Sequence, residues 1–207
     1  MENTISFGWT IFIAALPSTI TAIVSLIVAF RSLSLTKQMH DESQRQTREM
    51  HDNDQRRKEN EKRIADAKQK LEAFYYPYLL IAKENTSLYE VFRKEHFAKD
   101  PGFRTLPALL EGKEFSQNDE AILNQIIEND KKLKDLINQK AQVIEDKNLR
   151  EDLIRSATHY AIIELAHAKK INGEVERFRP YVHPNEVYEK VMKKTRELEK
   201  VIEDADQ

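Results

Sequence analysis

The residues of this chain whose types and spacing best suit catalysis are Arg155 and His159, in the segment LIRSATHYAIIELAH. Residues four apart on a helix lie on one face. There an imidazole can move a proton to or from a 2′-hydroxyl or a leaving oxygen, while a guanidinium stabilises charge developing around phosphorus. The pair therefore predicts metal-independent RNA cleavage. The structural alternative is that Arg155 pairs with Glu151 or Asp152 one turn earlier and His159 is incidental.

Other catalytic patterns are missing from the sequence. It has four glycines, no glycine-rich phosphate loop, no cysteine and no His-Glu-x-x-His zinc motif. His159 and His167 lie two helical turns apart, too far for one metal ion without a ligand from elsewhere. We predict neither a metal ion nor another cofactor. The lack of cysteine excludes disulfides and thiolate catalysis.

The composition predicts an all-α fold. Gly is rare and Pro modest, while Glu, Lys, Leu, Ile and Ala abound among the 207 residues. The 33 basic and 35 acidic residues give a net charge of −2. This balance gives no global argument for a nucleic-acid partner and none against a local basic patch.

An apolar stretch at residues 7–30 stands out from this charged background. It reads FGWTIFIAALPSTITAIVSLIVAF and has no charged side chain. A helix of this length can cross a hydrocarbon core of about 30 Å. Residues 1–6 carry only Glu2, whereas Arg31 and Lys37 follow the stretch. We predict an uncleaved single-pass anchor with the N-terminus outside and the C-terminal bulk in the cytoplasm.

Small and weakly polar residues form a stripe along one face of this span. A neighbouring helix can approach such a stripe closely and bond to its hydroxyls, so the stripe predicts a homo-oligomer and, more boldly, a water-lined pore between copies. The alternative is that the hydroxyls bond to their own helix and the proline merely kinks it. The residues of this predicted oligomer or pore face are Thr10, Ala14, Pro17, Ser18, Thr21 and Ser25.

Residues 31–70 predict a charged helical tether. From Ser34 to Lys70 the sequence is polar and has neither Gly nor Pro, so the helix is expected to continue out of the span. The tether is either a solvated helix or a weak coiled coil, because most core positions of the heptad that fits it are polar. The two core rows are Thr36, Ser43, Met50, Arg57, Ile64 and Leu71, and Met39, Gln46, Asn53, Asn60, Ala67 and Phe74.

Residues 71–207 predict one helical domain. Pro77 should kink or restart its first helix, and the aromatic cluster around it is expected in the core. Ser116 is the predicted N-cap of a second helix, with Asp119 in the capping-box position. A third, central helix is expected from about Leu149 to Ile171, with its C-cap at Asn172 and Gly173. The aromatic cluster comprises Phe74, Tyr75, Tyr76 and Tyr78.

These features together resemble a known family. The chain is similar to the small membrane accessory protein of RNA-targeting type VI-B CRISPR loci. The similarity lies in the single span, the charged tether, the segment FYYPYLL at 74–80, and the Arg and His on a late helix. Its soluble domain resembles the HEPN (higher eukaryote and prokaryote nucleotide-binding) helical fold. The HEPN ribonuclease signature is Arg, four to six residues, then His. Arg155 and His159 have three residues between them, while Arg177 and His183 have five but are interrupted by Pro180.

The resemblance implies an oligomer in the inner membrane that enhances an RNA-guided effector and perturbs the membrane during antiviral defence. The partners implied are a second copy of the chain, the effector or RNA, and membrane lipid. Two other functions remain open from the sequence: a membrane-tethered HEPN-type ribonuclease that uses Arg155 and His159, and a non-catalytic docking scaffold.

Overall fold

The computed structural model describes the backbone of residues 5–181 and 186–205, and side chains from residue 21 onward within those ranges. The residues in these ranges are 87% helical and include no strand, which confirms the all-α prediction. Its residues divide into two compact units, Met1–Glu59 and Asn60–Gln207. We describe each unit by itself.

The first unit consists of most of helix α1, Ile5–Lys70. By length and composition this helix is able to cross a membrane, as predicted. Its polar part carries ion pairs between residues one turn apart, such as Arg45 with Glu49 at 2.9 Å. The absence of Gly and Pro from Ser34 to Lys70 explains why the helix continues through the predicted tether.

The second unit contains the last turns of α1 and all the helices that follow. The elements are a π-helical turn Leu71–Tyr75, α2 Tyr76–Lys99, α3 Thr105–Leu110, α4 Gln117–Lys140, a 3-10 turn Ala141–Val143, α5 Lys147–His167, a 3-10 helix Val175–Tyr181 and α6 Val187–Glu203. Helices α2, α4 and α5 pack side by side, and α6 covers α2 and α5.

The π-helical turn shows how the chain accommodates Pro77. Proline has no N–H and is tolerated in the first turn of a helix, where that N–H has no partner. Here the Tyr76 N–H bonds to the Leu71 carbonyl, five residues back, and α2 begins at Tyr76 with Pro77 in its first turn. The helix therefore restarts at this point, one of the two outcomes predicted.

The core consists of two apolar clusters. The first cluster includes residues from the end of α1, from the start of α2 and from α6. The second includes residues from α3, from the start of α4 and from the end of α5. Phe74, Tyr75 and Tyr78 are buried in the first cluster as predicted. Tyr76 is not: it is 45% exposed, and its hydroxyl lies 3.2 Å from Glu199.

The burial of the first cluster also corrects the heptad assignment. Ala67, Leu71 and Phe74, the last members of the two predicted coiled-coil rows, are at most 2% exposed inside the helical domain. They are therefore unavailable to a seam between copies. The compact unit accordingly begins before residue 71, where we placed the start of the domain.

The ends of α4 and α5 depend on specific caps. The Ser116 hydroxyl accepts the Asp119 N–H at 3.2 Å, which confirms the predicted N-cap, and Asp146 caps α5 by accepting the Leu149 N–H at 3.0 Å. The C-cap prediction for α5 was wrong. The helix ends at His167, because Lys169 adopts a left-handed φ of 55°.

This C-terminal turn is a Schellman motif. The Lys169 N–H bonds to the Ala166 carbonyl at 3.0 Å, and the Lys170 N–H bonds to the Leu165 carbonyl at 2.9 Å. Helix α5 is central, as predicted, because it contacts α3, α4, α6 and the 3-10 helix Val175–Tyr181. Its apolar residues Ile154 and Leu165 nevertheless face solvent.

Candidate functional site

A cavity of about 760 Å³ opens within the helical domain and is the candidate site. Helices α2, α3, α4 and α5 supply most of its wall, and residues of both apolar clusters contribute. A cavity of this size is typical of small-molecule sites. Its polar and aromatic lining includes Tyr78, Asn85, Tyr89, Arg93, Arg104, Asp130, His159 and Tyr160.

A buried hydrogen bond at the cavity wall joins Asn85 on α2 to Asp130 on α4. The Asn85 amide donates to Asp130 Oδ1 at 2.7 Å, and the two residues are 5% and 1% exposed. Asp130 Oδ2 and Asn85 Oδ1 have no hydrogen-bond partner among the described residues. Two acceptor atoms at the cavity wall are thus buried without donors, which is costly for a polar group.

The electrostatics of this pair follow from burial. Burial raises the pKa of the Asp130 carboxyl from 3.8 to about 7, and the hydrogen bond from Asn85 offsets part of the rise. Both the charged and the neutral form of Asp130 are therefore populated near neutral pH. A carboxyl with such a pKa can accept or release a proton under physiological conditions.

Three tyrosines surround the carboxyl on the cavity wall. The hydroxyls of Tyr78 and Tyr160 share a hydrogen bond, and burial raises the pKa of Tyr78 to about 12. Burial also raises the pKa of Tyr89 and of Tyr160, and the nearby Asp130 charge acts in the same direction. All three phenols are therefore neutral at physiological pH and present aromatic surface together with hydroxyl groups.

Two arginines, both exposed, give the outer part of the cavity a positive charge. The guanidinium carbons of Arg93 and Arg104 lie 4.5 and 5.8 Å from the centre of the Phe97 ring. Arg104 also donates to the Phe103 carbonyl at 2.9 Å. Both guanidiniums therefore lie beside one ring, and both are able to bind an anionic group.

The two predicted catalytic residues lie one turn apart on α5 and differ in their surroundings. His159 lines the cavity, whereas Arg155 is exposed and is not among the lining residues that the structure describes. The partners proposed for Arg155 in the structural alternative are wrong: Asp152 pairs with Lys190 at 2.7 Å and Glu151 with Lys147 at 3.9 Å. The surface position leaves Arg155 accessible to a large ligand such as RNA.

The predicted oligomer or pore face is described only in part. The side chains of Thr10, Ala14, Pro17 and Ser18 lie outside the described residues, as does His183. Thr21 and Ser25 are exposed on α1. Self-association through this face stays a prediction. Within the described ranges, no three acidic or histidine side chains are grouped to hold a metal ion.

A second polar cluster, formed by Ser116, Asp119 and His96, has a structural role. The Ser116 hydroxyl donates to Asp119 Oδ2 at 2.8 Å, and His96 Nε2 lies 3.5 Å from the same oxygen. The His96 ring stacks on Phe103 at 4.7 Å between ring centres. A hydroxyl that donates to a carboxylate rather than to an imidazole is not activated as a nucleophile, so this cluster caps α4.

Apart from His159, the polar and charged residues that line the cavity match no catalytic spacing, and their role in a site was not predicted. A signal was present in the sequence. Asp130 interrupts the apolar stripe of α4 between Ile126 and Leu133, and Asn85 interrupts that of α2 between Ala82 and Phe92. A polar residue at a core position of an amphipathic helix needs a buried partner, which marks it as a candidate for a site.

Comparisons with protein families, curated proteins and solved structures found no match for this chain. A functional assignment therefore depends on the geometry above and on the resemblance carried by residues 74–80 and 155–159.

Proposed function

We propose that this chain is a single-pass membrane protein that assembles as a homo-oligomer and serves as an accessory in antiviral defence of the type VI-B CRISPR kind. The observation that carries the membrane assignment is the exposure of apolar side chains on α1. Ile23, Leu26 and Phe30 are 59%, 63% and 69% exposed. Burying such a side chain contributes about 1.5–3 kcal/mol, and lipid provides that environment along the whole span.

The charges that flank the span support the orientation. Arg31 and Lys37 follow it directly, and basic residues are favoured on the cytoplasmic side. The helical domain then lies in the cytoplasm. The cytoplasm is also the compartment in which the domain would meet an RNA-guided effector or RNA.

Charge insertion tests the anchor. Each Arg placed in the span costs roughly 2.5–3.5 kcal/mol at its centre, so Ile23→Arg combined with Val24→Arg should release the protein from carbonate-washed membranes. The matched control is Leu33→Arg with Leu35→Arg, two exposed leucines on the same helix beyond residue 30. Equal membrane retention of the two double variants would contradict the assignment.

A cleaved signal sequence can have the same length and composition as this span. The mass of the protein extracted from membranes distinguishes a cleaved signal sequence from a retained anchor. An intact mass of 24.3 kDa supports a retained anchor. A product that begins beyond residue 30 contradicts it. In mild detergent, light scattering should give a multiple of this mass, whereas a monomer would exclude both the oligomer and the pore.

The pore is tested separately. Thr21→Leu with Ser25→Leu removes two hydroxyls from the predicted oligomer or pore face, and should reduce ion flux in vesicles if the face lines a path. The same change at Thr36 and Thr47, outside the span, is the control. Unchanged flux in the first variant would show that this face lines no path.

The role in defence is supported by the resemblance at residues 74–80 and 155–159 and by the all-helical domain, which we propose is HEPN-like. Co-expression with a type VI-B effector should increase protection against phage, measured as a drop in plaque number. The double-Arg variant of the span should lose this enhancement. Equal plaque counts with and without the chain would contradict the accessory role.

Metal-independent ribonuclease activity is the second candidate function. The observation that favours it is the position of His159 on the wall of a cavity that also carries the guanidiniums of Arg93 and Arg104. An imidazole and a guanidinium at one site are able to serve proton transfer and charge stabilisation at phosphorus.

A further inference from the structure

The most buried polar pair among the lining residues, Asp130 and Asn85, has acceptor atoms that no described donor reaches. Asp130 is 1% exposed and receives one hydrogen bond, from a neutral amide. Carboxylates this deeply buried are ordinarily paired with a cation. Asp130 Oδ2 and Asn85 Oδ1, both on lining residues, are acceptors without a described donor. Two such acceptors, on residues joined by a hydrogen bond, are complementary to a group with several N–H bonds.

The walls near these acceptors favour a positive charge. Tyr78, Tyr89 and Tyr160 line the same cavity, and aromatic faces attract cations, more strongly where water is excluded. A protonated amine there would donate to the carboxylate and the amide oxygen while its methylene groups contact the rings. A neutral apolar ligand would leave both acceptors unsatisfied.

The outer part of the cavity has the opposite preference. Arg93 and Arg104 converge on the Phe97 ring and are exposed, so their guanidiniums are available to a carboxylate or a phosphate. A simple amine would be repelled by these two charges as it enters. A simple anion would bind at the arginines and leave Asp130 and Asn85 without donors.

We propose that this cavity binds a small zwitterion, whose protonated amine donates to Asp130 Oδ2 and Asn85 Oδ1 and whose anionic group pairs with Arg93 and Arg104. Amino acids and phosphoethanolamine belong to this chemical class. The inference does not depend on membrane insertion, oligomer formation or a role in defence, so its failure is distinguishable from that of the proposed function.

Calorimetric titration of the full chain in detergent micelles tests the ligand class. The probes are 4-aminobutyrate, 6-aminohexanoate and phosphoethanolamine, compared with putrescine for the amine alone and glutarate for the anion alone. At least one zwitterion should bind tenfold more tightly than both single-function probes. Guanosine monophosphate is the rival, since a nucleobase edge also supplies donors and its phosphate fits the arginines. Tighter binding of the nucleotide, or no binding of any zwitterion, overturns the proposal.

Variants test separately the residues proposed to bind the amine and those proposed to bind the anionic group. Asp130→Asn keeps an acceptor for the Asn85 amide but removes the charge, and should weaken the best zwitterion at least tenfold. Asp135→Asn, at an exposed carboxylate on the same helix, should leave the affinity unchanged. Arg93→Gln with Arg104→Gln should also weaken binding tenfold and abolish the advantage over putrescine, whereas Arg196→Gln on α6 should not.

The melting temperature of each variant is measured alongside its affinity, so that a loss of binding is not confused with a loss of fold. Asp130→Asn is expected to melt no lower than the unaltered chain, because it removes a buried charge. Unaltered affinity in folded Asp130→Asn would overturn the amine site, and unaltered affinity in the folded double-Gln variant would overturn the anion site.

Discussion

The Asn85 amide donates a 2.7 Å hydrogen bond to Asp130 Oδ1, and this contact joins α2 to α4 across 45 positions of sequence. Neither side chain is more than 5% exposed. A hydrogen bond to a charged group contributes about 1.5–3 kcal/mol, less than the cost of burying a carboxylate without a cation. The fold is therefore less stable when Asp130 is ionised than when it is protonated.

This balance predicts how stability depends on pH. The pKa of Asp130 is about 7 in the folded domain and near 3.8 when unfolded, so between these values the folded state binds more protons. The free energy of unfolding should consequently fall as pH rises from about 4 to about 7, by up to about 4 kcal/mol at full ionisation. Urea denaturation at a series of pH values measures this slope.

Asp130→Asn should remove that part of the pH dependence. The variant should match the unaltered chain near pH 4 and exceed its stability at pH 8, because its side chain cannot ionise. Asp135→Asn is the control, since Asp135 is exposed on the same helix. Parallel pH profiles for the unaltered chain and Asp130→Asn would show that the carboxyl titrates near its ordinary value.

Lys169→Gly should stabilise the domain. Lys169 holds a left-handed φ of 55° at the C-terminus of α5, a conformation that costs a residue with a side chain roughly 1 kcal/mol and glycine almost nothing. We expect a gain of about 0.5 kcal/mol, since glycine also increases the entropy of the unfolded chain. Thermal unfolding followed by circular dichroism measures it. Lys170→Gly, where φ is not positive, should instead lower the melting temperature.

Ser116→Ala should lower stability by about 1 kcal/mol, because the hydroxyl satisfies the Asp119 N–H at the start of α4. Ser87→Ala is the matched change within a helix. The Ser87 hydroxyl bonds back to the Lys83 carbonyl, which is already used by the helix, so this loss should stay within about 0.5 kcal/mol. Urea midpoints compare the two variants. Equal losses would show that the cap does not stabilise α4.

Arg155→Ala provides a clean test of the ribonuclease. Arg155 is exposed, so its removal should change stability by less than about 0.5 kcal/mol, and any loss of RNA cleavage would report on chemistry rather than folding. His159→Ala should abolish cleavage in the same assay if the imidazole transfers the proton. Arg196→Ala, at an exposed arginine on α6, is the control. Cleavage that survives in both the Arg155 and His159 variants, or none by the unaltered chain, would exclude the pair as catalytic.

Much of the local structure could be predicted from the sequence. Four such features are the uncharged run at 7–30, the lack of Gly and Pro from Ser34 to Lys70, the proline at 77 and the Ser116–Asp119 cap. Each depends on residues that are close in sequence. The C-terminus of α5 was mispredicted because glycine at 173 is a stronger signal than a lysine that adopts the left-handed conformation.

The sequence by itself determined which faces of α2 and α4 are apolar, and that Asn85 and Asp130 interrupt them. It also separated an apolar span from a charged helical domain. The tertiary structure alone decided that these two polar residues meet, that three tyrosines surround them and that Arg93 and Arg104 share one ring. Helical periodicity specifies a face but not the helix that covers it. Contacts between residues 45 positions apart depend on how the helices pack, and the cavity depends on those contacts.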